Sequence, residues 1–164
     1  MKKLLLILLC LPLLFSCDSS KKKESTEKTK EEERIDYFNK YGDLSLDLEG
    51  GNDSLFEVSI RCLSIDLDYK QTERLIRDLN ISSQYNCKNN RTYIPNDVFC
   101  SMDDSIPNLL NVCFKYVASN SYGVPGDIMT FYTIDISLLK KQYEGFGAEN
   151  LTSLDFIVDE ITTD

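Results

Sequence analysis

The chain is 164 residues long, with 18 basic and 27 acidic side chains, no histidine and no tryptophan. Without histidine it can build neither a Ser-His-Asp nor a Cys-His nucleophile, no His-ligated zinc and no imidazole base. Residues 34–164 carry 11 basic and 21 acidic groups, a balance that repels phosphate backbones and excludes nucleic acid from the expected partners.

The amino terminus opens with Lys2 and Lys3, continues through an apolar run from Leu4 to Phe15, and closes on Ser16 and Cys17. A positive start, an apolar run and a small residue form the pattern of a secretory signal. As a helix the run would rise only about 18 Å, against roughly 30 Å of hydrocarbon, and Pro12 interrupts it. It is therefore too short to span a bilayer. The ending Leu14-Phe15-Ser16-Cys17 resembles the lipobox of bacterial lipoproteins. That resemblance implies cleavage before Cys17, a diacylglyceryl group on its sulfur, and a body held at a membrane outside the cytoplasm. More than one acyl chain makes such an anchor stable, since each buried methylene contributes about 0.8 kcal/mol. Asp18 looks like an inner-membrane retention signal of enterobacterial lipoproteins. The Ser-, Lys- and Glu-rich segment after it is instead similar to the tether of small Bacteroidota lipoproteins. The expected location is the outer membrane, with both faces left open.

Residues 1–16 are thus expected to leave as a signal peptide, residues 17–33 to form the lipidated cysteine and a charged flexible tether, and residues 34–164 to fold as one globular domain. Residues 18–33 include no apolar side chain, so they cannot join a core, and as a coil they would span roughly 20–25 Å. Their Lys and Glu content also allows a helix running into Ile35, Phe38 and Tyr41 and stopping at Gly42.

Leucines and acids alternate from Asp43, and Gly50-Gly51-Asn52-Asp53 reads as a turn. Residues 55–65 read as a strand with Phe56, Val58, Ile60 and Cys62 on one face. Asp66 and Asp68 precede a helix predicted over 69–80, with Leu75, Ile76 and Leu79 as its apolar stripe and Glu73 and Arg77 spaced to pair. From 82 to 107 the chain is rich in Asn, Asp and Ser. This stretch reads as a long irregular loop with a short helix near 96–102. Strands at 110–118 and 127–136 follow, joined by a turn rich in Gly, Pro and Asn, which predicts a hairpin. The hairpin is similar to segments of Bacteroidota lipoproteins. Residues 138–147 read as a short helix and 154–161 as a last strand or amphipathic turn. The expected fold class is α+β: a small antiparallel sheet of three to five strands packed against one or two helices and stabilised by disulfides. A β-sandwich is the alternative.

Six cysteines divide by fate. Cys10 leaves with the signal and Cys17 takes the lipid, so Cys62, Cys87, Cys100 and Cys113 remain as disulfide candidates in an oxidising compartment. Three pairings are open, and Cys87–Cys100 with Cys62–Cys113 is the preferred one. Their spacings contain no CxxC knuckle, so no metal is expected, and no motif calls for a cofactor. The acidic pairs Asp66/Asp68 and Asp103/Asp104 fit no EF-hand pattern, and Asp66 and Asp68 read as a cap of the helix that follows and a neighbour favourable to its dipole. Tyr116, Tyr122, Phe131, Tyr132 and Tyr143 suit packing, with Tyr122, placed in a turn, the candidate for partner binding. Asp53-Ser54-Leu55 and Asp104-Ser105-Ile106 resemble the Bacteroidota O-glycosylation sequon, which makes Ser54 and Ser105 candidate glycan sites.

The leading expectation is a non-enzymatic envelope lipoprotein that reaches the membrane through its lipid anchor and binds an envelope protein or glycan. An inhibitor or immunity protein against a basic envelope hydrolase is the alternative, suited by the acidic body. A carboxylate-dependent hydrolase ranks below both. Replacing Cys17 with Ala should abolish incorporation of radiolabelled palmitate in bacterial cells. Undiminished labelling of that variant would refute the anchor at Cys17.

Overall fold

The structure, a computed structural model, describes residues 31–32, 34–40, 42–145 and 154–163. The expected signal peptide, Cys17 and almost all of the tether lie outside the described residues, as do residues 146–147 of the expected late helix. The chain divides into two units, residues 1–36 and 37–164. Residues 31–32 and 34–36, the described part of the first, are helical.

The second unit opens on helical residues 37–40 and is built on period-two burial. Strand β1, Asp43–Glu49, buries Leu44, Leu46 and Leu48. Strand β2, Leu55–Leu63, buries Val58, Ile60 and Cys62. A tight 3-10 turn at Gly51–Asp53 joins them. Gly42 ends the first helical residues at φ +68°. Its N–H bonds the Phe38 carbonyl at 2.8 Å and its own carbonyl accepts from the Cys62 N–H. A Cβ there would run into the Cys62 carbonyl, so chain geometry and space both require glycine.

Helix α1, Tyr69–Asn86, follows. Asp68 caps it as expected: its Oδ1 accepts from the Gln71 N–H at 2.8 Å while Gln71 Oε1 accepts from the Asp68 N–H at 3.2 Å, a reciprocal capping box. Tyr69, Thr72, Leu75, Ile76, Leu79, Asn80 and Ser83 form its buried stripe. The helix runs six residues past the expected end at 80 because Asn80 and Ser83 are polar yet buried, each satisfied by a tyrosine hydroxyl.

Strand β3, Ile94–Met102, lies within the stretch 82–107 read from sequence as a loop and replaces the short helix expected at 96–102. That expectation is corrected: Pro95, Val98 and Cys100 point inward. A register shift between Pro95 and Asp97 breaks the simple alternation that a sequence scan seeks. Pro95 is tolerated in an interior strand because pairing with β2 begins only at Asp97, so its missing N–H costs no ladder bond on that side. Strands β4, Leu109–Ser119, and β5, Pro125–Asp135, make the expected hairpin. Helix α2, Ile136–Gly145, starts where Asp135 Oδ1 accepts from the Ser137 and Leu138 N–H groups at 2.8 and 3.1 Å. Strand β6, Ile157–Thr163, pairs with β5.

The fold is α+β, with a six-stranded sheet in the order β1-β2-β3-β4-β5-β6. The expected all-antiparallel sheet of three to five strands is corrected in two respects. Among the described residues there are six strands, and β2 and β3 run parallel because α1 lies between them as a crossover. Val58, Ile60, Leu75, Ile76, Leu79, Val98, Leu110, Phe114, Ile134, Leu139 and Phe156 are all fully buried. Together they form the core between one sheet face and the helices. Leu79→Ala should cost about 3 kcal/mol of unfolding free energy, the usual range for emptying a sealed leucine site. Urea denaturation measures it, and a loss below about 1 kcal/mol would be inconsistent with α1 being sealed against the sheet.

Candidate functional site

Two places in the second unit gather chemistry: a buried thiol pair beside a cavity, and the sheet face that the helices leave uncovered. Cys62 and Cys100 are direct partners in the parallel β2–β3 register, 3 % and 0 % exposed. The adjoining Cys62 thiol first, then burial, then the neighbouring Cys113 push the Cys100 thiol well above its ordinary range. A cavity of about 280 Å³ opens beside Cys62, with Phe38, Lys40, Gly42, Ser64 and Leu67 among its lining.

All four described candidate cysteines are free thiols. The preferred pairing is therefore corrected: neither Cys62–Cys113 nor Cys87–Cys100 is joined. Cys113 pairs with Phe99 and Phe131, both outward, while Cys62 and Cys100 point into the core. Strand alternation thus places Cys62 and Cys113 on opposite faces, with β3 between their strands. Cys87 caps the end of α1 near Tyr116, whose register partner is Pro95. Cys100 is five residues further along β3, roughly 16 Å at strand rise.

The uncovered face carries a row fixed by register: Phe99 opposite Cys113, Cys113 opposite Phe131, and Phe131 opposite Ile161. Phe99, Phe131 and Ile161 are 40, 43 and 55 % exposed. Arg61 flanks Phe99 on β2, and Lys115 and Met129 form the next rung beside Asp97. Cys113 is half-buried within the row, and burial raises its thiol pKa.

Tyr122 is 90 % exposed at the β4–β5 tip. Asn120 Oδ1 accepts from the Tyr122 and Val124 N–H groups at 2.9 and 3.1 Å, and Gly123 sits at φ +78°. The tip is thus held in one conformation while its ring faces solvent. Three other tyrosines are held in the interior by hydrogen bonds. Tyr93 donates to Asn80 Oδ1 at 2.9 Å, Tyr132 shares a bond with Ser83 Oγ at 2.8 Å, and Tyr116 bonds Thr130. Burial pushes the Tyr116 hydroxyl up to about 12 and raises the Tyr93 and Tyr132 hydroxyls further.

The acidic pairs take structural roles. Asp66 bonds Lys140 Nζ at 2.8 Å, and Asp68 caps α1. Asp103 closes its own turn by accepting from the Ser105 and Ile106 N–H groups, which lowers its pKa. Ser54 and Ser105 are exposed. Among the described residues no group of three or more His, Cys, Asp or Glu could hold a metal, and no helix is long and apolar enough to cross a membrane. Comparison with protein-family models, with curated proteins and with solved structures finds no match for this chain.

One carboxylate stands apart. Asp78 on α1 accepts from the Tyr143 hydroxyl of α2 at 2.8 Å, and the Arg74 guanidinium lies 4.1 Å from the Tyr143 ring centre. Burial raises the Asp78 pKa, against the opposing pull of Tyr143 and Arg74. A carboxyl that holds its proton more tightly when folded adds stability that is present at low pH and fades as pH rises through the raised value. The stability of the parent protein relative to Asp78→Asn should therefore grow as pH falls from 7 towards about 4. Urea denaturation of both across that window tests it, and a constant difference would refute the burial effect.

Proposed function

We propose that this protein is a non-enzymatic, lipid-anchored envelope protein that binds a cationic protein partner through its uncovered sheet face and the adjoining hairpin tip. The observation that supports the binding reading is the register row of Phe99, Phe131 and Ile161, exposed across three strands on the face that the described helices leave uncovered. Apolar and aromatic side chains are what a partner desolvates at the centre of an interface. The acidic excess of residues 34–164 steers a basic partner towards the protein. In this reading Cys17 carries the lipid at the outer membrane, the tether holds the body clear of the headgroups, and the cysteines oxidise after export to stabilise the fold.

Inhibition of a basic envelope hydrolase is the same surface put to a different use. It is favoured by Tyr122, a rigidly held exposed ring of the kind that can enter a cleft.

Crosslinking and pull-down of the lipidated protein from its native cells, in parent, Phe131→Asp and Tyr122→Ala forms, tests the proposal. One stoichiometric envelope protein should accompany the parent, and its capture should be lost with Phe131→Asp. Tyr122→Ala should weaken binding about tenfold, or ~1.4 kcal/mol, with the melting temperature almost unchanged. Equal capture by all three forms would sink the assignment of this face.

A further inference from the structure

We propose that Cys62 and Cys100 form a disulfide across the parallel β2–β3 pair, and that the cavity beside Cys62 is the route by which the oxidant reaches it. The exported state is part of the function proposed above, and this inference rests on that state only for where the bond forms in the cell. The pairing itself stands on geometry. Directly opposed residues of neighbouring strands lie about 4.8 Å apart, inside the roughly 4.4–6.8 Å between Cα atoms that a disulfide takes. The two cysteines are already register partners and both buried, so no strand has to change register to bring the sulfurs together. No other pair meets this condition: Cys113 points to the opposite face, and Cys87 sits at the far end of β3, beside Tyr116.

The cavity decides the order of events. Cys62 borders it, whereas Cys100 is fully buried and is not part of its lining. The oxidant is a disulfide, small or carried on a protein. The Cys62 thiolate attacks one of its sulfurs, forming a mixed disulfide and releasing the first oxidant thiolate. Cys100, as thiolate, then attacks the Cys62 sulfur, closing Cys62–Cys100 and expelling the second. Two protons leave the cysteines and two electrons pass to the oxidant, which ends as two thiols. The closed loop spans residues 62–100 and so contains α1. The bond ties the crossover helix to the two strands it connects and constrains the unfolded chain accordingly.

The test starts from the full chain, purified in detergent, reduced and freed of reductant. It is incubated with oxidised glutathione, quenched in acid, alkylated while denatured and mapped by mass spectrometry without reduction. The expected result is a crosslinked pair of peptides containing Cys62 and Cys100, separated by later reduction, with neither cysteine linked to Cys87 or Cys113. Recovery of Cys62 and Cys100 as alkylated thiols, or either one bridged to another cysteine, would overturn the pairing. Cys100→Ser should stop at glutathione on Cys62, whereas Cys62→Ser should leave Cys100 unmodified. Equal glutathione uptake by the two variants would overturn the cavity route. The same map on material exported through its own signal separates the two ideas. A bridge formed with glutathione but missing from exported protein would count against the export reading and leave the pairing intact.

Discussion

The structure depends on the packing of one helix against one face of the sheet. β2 ends at Leu63 and β3 starts at Ile94 in the same direction, so the chain has to travel back along the sheet before it can pair again. Tyr69–Asn86 makes that return, and Leu75, Ile76 and Leu79 on it are fully buried. Burial of three such side chains is a large apolar gain, on the order of 1.5–3 kcal/mol each. Polar atoms complete the seal. Arg77, Asn80 and Gln84 donate to the carbonyls of Asp47, Glu49 and Gly50 at 3.0, 2.8 and 3.1 Å. The carbonyls at the end of edge strand β1, and of the turn after it, are thereby satisfied by the helix rather than left open to another chain.

The same packing divides the sheet into two faces with different chemistry. On the covered face Tyr93, Tyr132 and Tyr116 bring hydroxyls into the core that must find partners, and Asn80, Ser83 and Thr130 supply them. Burial raises the pKa of these phenols, while the bonds to Ser83 and Thr130 pull the other way. On the face that the described helices leave uncovered, Phe99, Cys113, Phe131 and Ile161, one from each of four strands, fall into line. The domain thus joins a core of apolar side chains and hydrogen-bonded tyrosines to an apolar stripe that is exposed. An exposed stripe of this kind is what an interaction surface requires.

Several parts of this were legible in the residues. Period two at Val58, Ile60 and Cys62 marked β2 and its inner face, the Gly-Pro-Asn turn marked the hairpin, and Asp68 marked the start of α1. β3 was not legible. Its segment reads Ile-Pro-Asn-Asp-Val-Phe-Cys, with a proline and two turn-formers at its start, and a bulge breaks its alternation at the one place where the pattern could have been picked up. With β3 unseen, Cys100 sat in a loop and Phe99 was merely an apolar residue. Neither the thiol pair nor the apolar row could then be assembled. The inward alternation of Val98 and Cys100 around an outward Phe99 was the signal that could have found both.

By itself the sequence determined the chemistry available to this protein. It excluded imidazole chemistry, set an acidic body, supplied four cysteines in residues 34–164, and carried the local signals of capping, turn and alternation that act over a few residues. Tertiary structure decided which of those groups meet. The choice of Cys62 as neighbour of Cys100, and of Phe131 as neighbour of Cys113, follows from strand order and from the parallel sense of one pairing. Both depend on a helix crossing the sheet. That information resides in burial summed over the whole domain, which no local spacing encodes.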